Sequence, residues 1–205
     1  MLQLQTILPH TLELLKRLSS QPEMQGLRLV GGTSLALQYG HRQSVDLDFF
    51  GKPIVSQDEI LAMMGRLGAY KLRNRTKNIL QLIVDNVMVD IVDYSQYPWI
   101  DAAICEDGLV LASPRDIAAM KINAIEGRGS RKDFIDVYEL LQHYTLDEIL
   151  QCYSMKYPNF SLFRALLSIT YFDDAESEAM PKMFATVTWD EIKTRINSAI
   201  KEYQQ

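Results

Sequence analysis

Residues Gly31-Gly-Thr-Ser-Leu-Ala-Leu-Gln-Tyr-Gly-His-Arg-Gln-Ser-Val-Asp-Leu-Asp-Phe-Phe50 decide how this chain is read. A strand at 27–30 runs into a Gly-Gly-Thr-Ser turn, a helix at 33–40 follows, and a strand at 45–50 carries Asp46 and Asp48. Alternation along a strand sets Asp46 and Asp48 on one face, about 6.6 Å apart at their Cα atoms, with Val45, Leu47 and Phe49 on the other. Such a pair suits one divalent cation, or two cations about 3.5–4 Å apart. The turn at Gly31 and Gly32 offers backbone N–H groups at a helix N-terminus, where phosphate oxygens bind. Thr33 or Ser34 could equally serve as the helix cap, and the aspartates as charges blunting a sheet edge. The strand is otherwise apolar, however, and two anions on an inner strand need compensation that a cation supplies. Turn and carboxylates together imply metal-assisted chemistry on a nucleoside triphosphate.

Further along, Ile79-Leu-Gln-Leu-Ile-Val-Asp-Asn-Val-Met-Val-Asp-Ile-Val-Asp-Tyr94 reads as strands 78–85 and 87–94 joined by the turn pair Asp85-Asn86. Asp90 and Asp93 fall on opposite faces of the second strand. Ser113-Pro114-Arg115-Asp116 opens a helix over 114–126. Lys121 lies on its apolar stripe, so it either snorkels to water or reaches a phosphate and adds positive charge where the transition state becomes more negative. Ser130-Arg131-Lys132-Asp133 opens a helix over 131–143 in the same way, which gives Asp133 a second reading as a capping-box acid; Asp136 shares its face. In an extended strand, Lys71, Arg73, Arg75 and Lys77 would project from one face as a basic stripe of about 20 Å, either protecting an edge or guiding RNA.

Val30-Gly31-Gly32, a gap of thirteen residues, and Asp46-Leu47-Asp48-Phe49 resemble the signature of DNA polymerase beta-type nucleotidyltransferases. The fuller string, with His41-Arg42-x-Ser44-x-Asp46, is similar to the AbiEii/AbiGii-type toxin nucleotidyltransferases. The order Lys121, Arg128, Lys132, Asp133, Asp136 follows the helical motifs of that family, with Lys132 standing where Arg is commoner and bidentate phosphate contact is lost. The resemblance spans residues 25–143. It implies an α+β fold: a polymerase beta-like nucleotidyltransferase core, a mixed sheet with flanking helices, followed by an all-helical C-terminal region. The expected domains are 1–112 and 113–205, the second contributing Lys121 and Asp133 to the cleft. It implies Mg2+ or Mn2+ held by Asp46, Asp48 and a third carboxylate, Asp90 or Asp93, of which Asp90 has the family's hydrophobic–acid–hydrophobic setting. The triphosphate would meet Gly31, Gly32, Thr33, Ser34, Arg42 and Lys121, with Asp133 positioning metal or acceptor. Implied too are a hydroxyl acceptor on RNA (tRNA above all) or protein, and a cognate antitoxin. A catalytically inactive nucleotide-binding module and a small-molecule, antibiotic-modifying nucleotidyltransferase are the alternatives.

Composition agrees with this reading. The 205 residues are 47% hydrophobic, enough for one large or two small cores. A net charge of −5 argues against a generic nucleic-acid binder and against stable DNA binding. No apolar run reaches membrane-span length and no basic leader precedes a cleavage site, so the chain is read as cytoplasmic. Cys105 and Cys152 lack metal-ligand spacing and read as thiols. His10, His41 and His143 are too few and scattered for a zinc centre, and His41 in its loop reads as solvated or as a phosphate contact. Helices are expected at 5–19, 56–67, 146–156, 160–171 and 189–203, and further strands at 69–75 and 109–112. The change from mixed to helical character near residue 112 marks the domain boundary.

Overall fold

Pro9 takes the first position of α1 (Pro9–Ser19), so the helical run expected from residue 5 is divided into a 3-10 turn at Leu4–Thr6 and the helix proper. Proline suits a first turn, where its missing N–H would have no intrahelical acceptor. The structure is a computed structural model that describes residues 1–205. The chain falls into two compact units, one made of residues 1–38, 44–97 and 103–112, the other of 39–43, 98–102 and 113–205.

The first unit is built on seven strands: β1 (Leu27–Val30), β2 (Leu47–Gly51), β3 (Tyr70–Arg75), β4 (Ile79–Val84), β5 (Val87–Asp93), β6 (Ile104–Glu106) and β7 (Leu109–Leu111). They form one mixed sheet of order β3-β4-β5-β2-β1-β7-β6, with β2 parallel to β5 and β1 parallel to β7. Helix α2 (Gly31–Tyr39) leaves β1 directly, and α3 (Gln57–Leu67) starts on a capping box of Ser56 and Glu59. One side of the sheet is apolar: Leu47, Phe49, Leu80, Leu82, Val89 and Ile91 share a core with Leu14, Leu15 and Leu18 of α1 and Ile60, Met63 and Met64 of α3.

Two local features depart from the expected pattern. The pair β6–β7 is a hairpin closed by Asp107-Gly108, both at positive φ (52° and 77°), where a single strand at 109–112 was expected. In β3 the register against β4 shifts between Leu72 and Asn74, so Lys71 pairs with Ile83 but Arg75 with Leu80. Ile83 and Leu80 point to opposite faces, and the bulge therefore splits the basic stripe instead of aligning it.

The second unit holds α4 (Pro114–Gly127), α5 (Arg131–Leu140), α6 (Leu146–Lys156), α7 (Leu162–Ile169) and α8 (Trp189–Tyr203). Helix α4 packs on α5, α6 and α7, and α8 on α5 and α6. The segment 98–102 joins this unit through a buried ion pair. Lys156 Nζ lies 2.7 Å from Asp116 Oδ1 and donates to the Pro98 carbonyl at 2.8 Å, and Asp116 accepts from the Ile100 and Asp101 amides at 2.9 and 3.2 Å.

Candidate active site

In the sheet unit the site begins where β1 ends. Val30 pairs with Asp48 of β2, and Gly31 then turns the chain into α2 at φ 68°, a conformation costly for any residue with a Cβ. A Cβ on Gly31 would also meet Asp48 Oδ2, so a side chain here would displace that carboxylate. Strand β1 stops at Val30, and β2 starts at Leu47 instead of the expected 45. Asp46 thus lies just outside the strand. Its carbonyl receives the Thr33 hydroxyl, which also shares a 2.8 Å hydrogen bond with Ser44 Oγ.

The carboxylates that the ladder does align are Asp48 and Asp90, Cα partners in the parallel β2–β5 pairing and both half-buried on the face away from the core. Adjacent strands are about 4.8 Å apart. Gln81 of β4, the register partner of Asp90, donates to Asp90 Oδ2 at 2.8 Å. Asp93 lies at the end of β5, where the Ser95 hydroxyl, and then the Ser95 amide donating at 3.1 Å, hold its carboxyl below the usual range. No group of three His, Cys, Asp or Glu side chains gathers as a cation cage. The Asp48–Asp90 pair still fits magnesium, which takes one or two carboxylates from a protein and completes its octahedron with water and substrate phosphates.

Thr33 and Ser34, expected at the phosphates, are buried. Their hydroxyls serve the fold: Thr33 secures the 44–46 segment, and Ser34 Oγ accepts from Gln38 at 3.2 Å. Only backbone N–H groups at this turn are left to meet an anion.

In the helical unit, Lys121, Asp133 and Asp136 form a buried ionic network with residues 41 and 42. Lys121 Nζ lies 2.9 Å from Asp133 Oδ1 and 2.6 Å from Asp136 Oδ2. Lys121 therefore does not snorkel to water. Arg42 grips Asp136 through two bonds of 2.7 and 2.8 Å, and His41 Nε2 lies 2.8 Å from the same carboxylate. The 41–43 segment is secured to residues 182–184, with Gln43 N donating to the Lys182 carbonyl and Phe184 N to that of His41. His41 is accordingly buried, contrary to the solvated loop residue the sequence suggested. Asp133 also accepts from Arg128 at 2.9 and 3.1 Å and from Ser130 Oγ at 2.8 Å. Ser130 makes no cap bond to the backbone, so Asp133 is an ion-pair centre and not a capping-box acid. Burial alone would raise both aspartate pKa values, but Arg42 and Lys121 hold Asp136, and Lys121 and Arg128 hold Asp133, well below the ordinary carboxylate range. Burial likewise pulls Lys121 down, and Asp136 and Asp133 outweigh it to leave that pKa raised. With Arg42, Lys121 and Arg128 against two aspartates, the network keeps one net positive charge before His41 is counted. The hub role of Asp136 was not legible in the sequence, where it showed as a face-mate of Asp133 and as the last residue of the helical motif.

A mixed sheet with a glycine turn closing one strand, and aspartates in register on the adjacent strand and the one beyond it, defines a nucleotidyltransferase core. Two solved structures share the fold: the nucleotidyltransferase toxin MenT4 from Mycobacterium tuberculosis, with TM-score 0.57 and 14% identity over 91% of this chain and 78% of that one, and JHP933 from Helicobacter pylori, with TM-score 0.52 and 15% identity over 97% and 95%. The family model described as nucleotidyl transferase AbiEii toxin, type IV toxin–antitoxin system, matches residues 13–203, and the chain belongs to that family. The match takes in most of α1 and most of the chain beyond residue 143, which the motifs alone did not cover. An uncharacterized protein of Aquifex aeolicus is 32% identical over 181 residues, covering 85% of this chain and 86% of its own length. The chain is thus a nucleotidyltransferase of a toxin family. None of its helices is long and apolar enough to cross a membrane.

Proposed function

We propose that the chain moves a nucleoside monophosphate from a nucleoside triphosphate to a hydroxyl on RNA, with tRNA the preferred class, or on a protein, as the toxin half of a pair with a cognate antitoxin. The register of Asp48 with Asp90 beside the Gly31 turn carries this reading. Asp48 and Asp90, joined by Asp46, would hold Mg2+ or Mn2+, which when bound offsets the charge of the triphosphate and favours in-line displacement. Asp90, oriented by Gln81, is suited to accept the proton of the acceptor hydroxyl. The amides of Gly31, Gly32, Thr33 and Ser34 would receive phosphate oxygens, as at other helix N-termini. Lys121, its ammonium fixed by Asp133 and Asp136, would supply positive charge as the phosphates become more negative.

The test is incubation with each α-labelled nucleoside triphosphate, Mg2+ and either total RNA or total protein. Label should pass to one acceptor class, and Asp48→Asn and Asp90→Asn should abolish transfer while the protein stays folded. Full transfer by Asp48→Asn would refute the assignment.

A further inference from the structure

The outer face of α7 has no role in the site. Ala165 and Ile169 are buried on its inner side, where the helix packs on α4 and α6, yet Phe163 and Leu167 are 69% and 55% exposed, and Tyr171, just beyond the helix, 53%. Large apolar side chains at intervals of four make one continuous stripe, and exposed Phe160 widens it. Isolated exposed apolar residues are ordinary on a protein surface, but a row of them marks a contact surface. A concavity of about 470 Å³ lies on either side, one bordered by Leu167 and Tyr171, the other by Phe160 and Arg164.

We propose that a second copy of the chain docks here, two α7 helices lying antiparallel about a two-fold axis through Leu167. Three features select a second copy. The stripe is symmetric about Leu167: in an antiparallel pair Leu167 meets its counterpart, and Phe163 meets Tyr171 at each end, giving two aromatic contacts. Its charges run head to tail, with Arg164 near the start of α7 and Asp173 and Asp174 beyond its end. Antiparallel docking brings each Arg164, 3.3 Å from Glu126 in its own chain, toward the acidic end of the other copy, and the two helix dipoles oppose. The exposed parts of the four large residues amount to roughly 400 Å², taking about 150–250 Å² for a large side chain. A standard interface of about 800 Å² per partner needs roughly 450 Å² of apolar surface on each side.

Sedimentation velocity of the full chain across the micromolar range should show mass rising toward twice the monomer. Leu167→Asp sets two carboxylates face to face at the axis and should hold the protein monomeric with its melting temperature unchanged. Leu167→Cys, in a Cys105→Ser background that removes the exposed native thiol, should form a disulfide-linked dimer with diamide, which takes up the two thiol hydrogens. Asp190→Cys in the same background, at an exposed position, should stay monomeric under the same treatment. A wild type that is monomeric throughout, a dimer that survives Leu167→Asp, or equal cross-linking from both positions would overturn the proposal. None of these outcomes bears on transfer at Asp48 and Asp90.

Discussion

One fully buried carboxylate, Asp136, takes Arg42 through two bonds, Lys121 through a third and His41 through a fourth, and deleting a cation weakens the compensation of a charge held in a low-dielectric interior. Lys121→Met keeps the packing of the stem and removes the cation that Asp133 and Asp136 share. Breaking a buried pair from one side costs about 3–5 kcal/mol, so urea unfolding should report a loss on that scale; a loss below about 1 kcal/mol, the range of exposed pairs, would show that the network does not hold the charge. The same residues set the pH limits of stability. Asp133 and Asp136 have folded pKa values depressed below their unfolded value of about 3.9, so their contribution is complete above that value and is lost as pH falls through the folded pKa. Lys121 is raised above its unfolded value of about 10.4, so its contribution is complete below that value and is lost as pH rises through the folded one. Melting temperature should therefore show no dependence on these three groups between about pH 5 and 9, and should fall below about pH 4 less steeply in Asp136→Asn than in wild type.

The β4–β5 hairpin places Asp90 beside Asp48, and its turn holds Asp85 and Asn86 at φ 51° and 63°. Glycine occupies that region without a Cβ penalty, so Asn86→Gly should stabilise the protein by up to about 1 kcal/mol, seen as a higher melting temperature, and Asn86→Val should lower it. This hairpin was legible in the sequence because a turn pair separates two apolar runs, and the Gly31 turn because glycines stand between a strand and a helix. Asp107-Gly108 is the same kind of signal and marks the β6–β7 hairpin, but the strands it joins are only three residues long and carry little periodicity. The start of β2 was illegible for a different reason. Val45-Asp46 alternates like strand, but the flanking Ser44 is bound to residues 6 and 7 and the Asp46 carbonyl to the Thr33 hydroxyl, contacts set by residues distant in sequence and not by local pattern. The bulge at Arg73 and the Arg42–Asp136 pair were hidden in the same way, since both depend on residues distant in sequence.

At the scale of the molecule, the sheet unit and the helical unit each have their own core, and the ligand chemistry proposed for the sheet unit can be read without any assay of transfer. A nucleoside triphosphate with Mg2+ should raise the melting temperature of the wild type, by linkage worth about 2.7 kcal/mol at a hundredfold excess over Kd. Asp48→Asn should lose most of that gain while melting at or slightly above the wild-type temperature on its own, because one of two like charges has been removed; an undiminished gain would exclude Asp48 as a ligand. Neither unit is a continuous stretch of chain, since residues 39–43 and 98–102 belong to the helical one. Arg42 and Asp136 stand 94 positions apart. At a synthesis rate of about 5–20 residues per second, Arg42 waits roughly 5–20 s before Asp136 exists to receive it. The ribosome thus finishes the glycine turn and both strand aspartates well before the ionic network can close, and a truncated product ending ahead of α5 leaves translation with its Arg42 still lacking the carboxylate it is buried against in the whole protein.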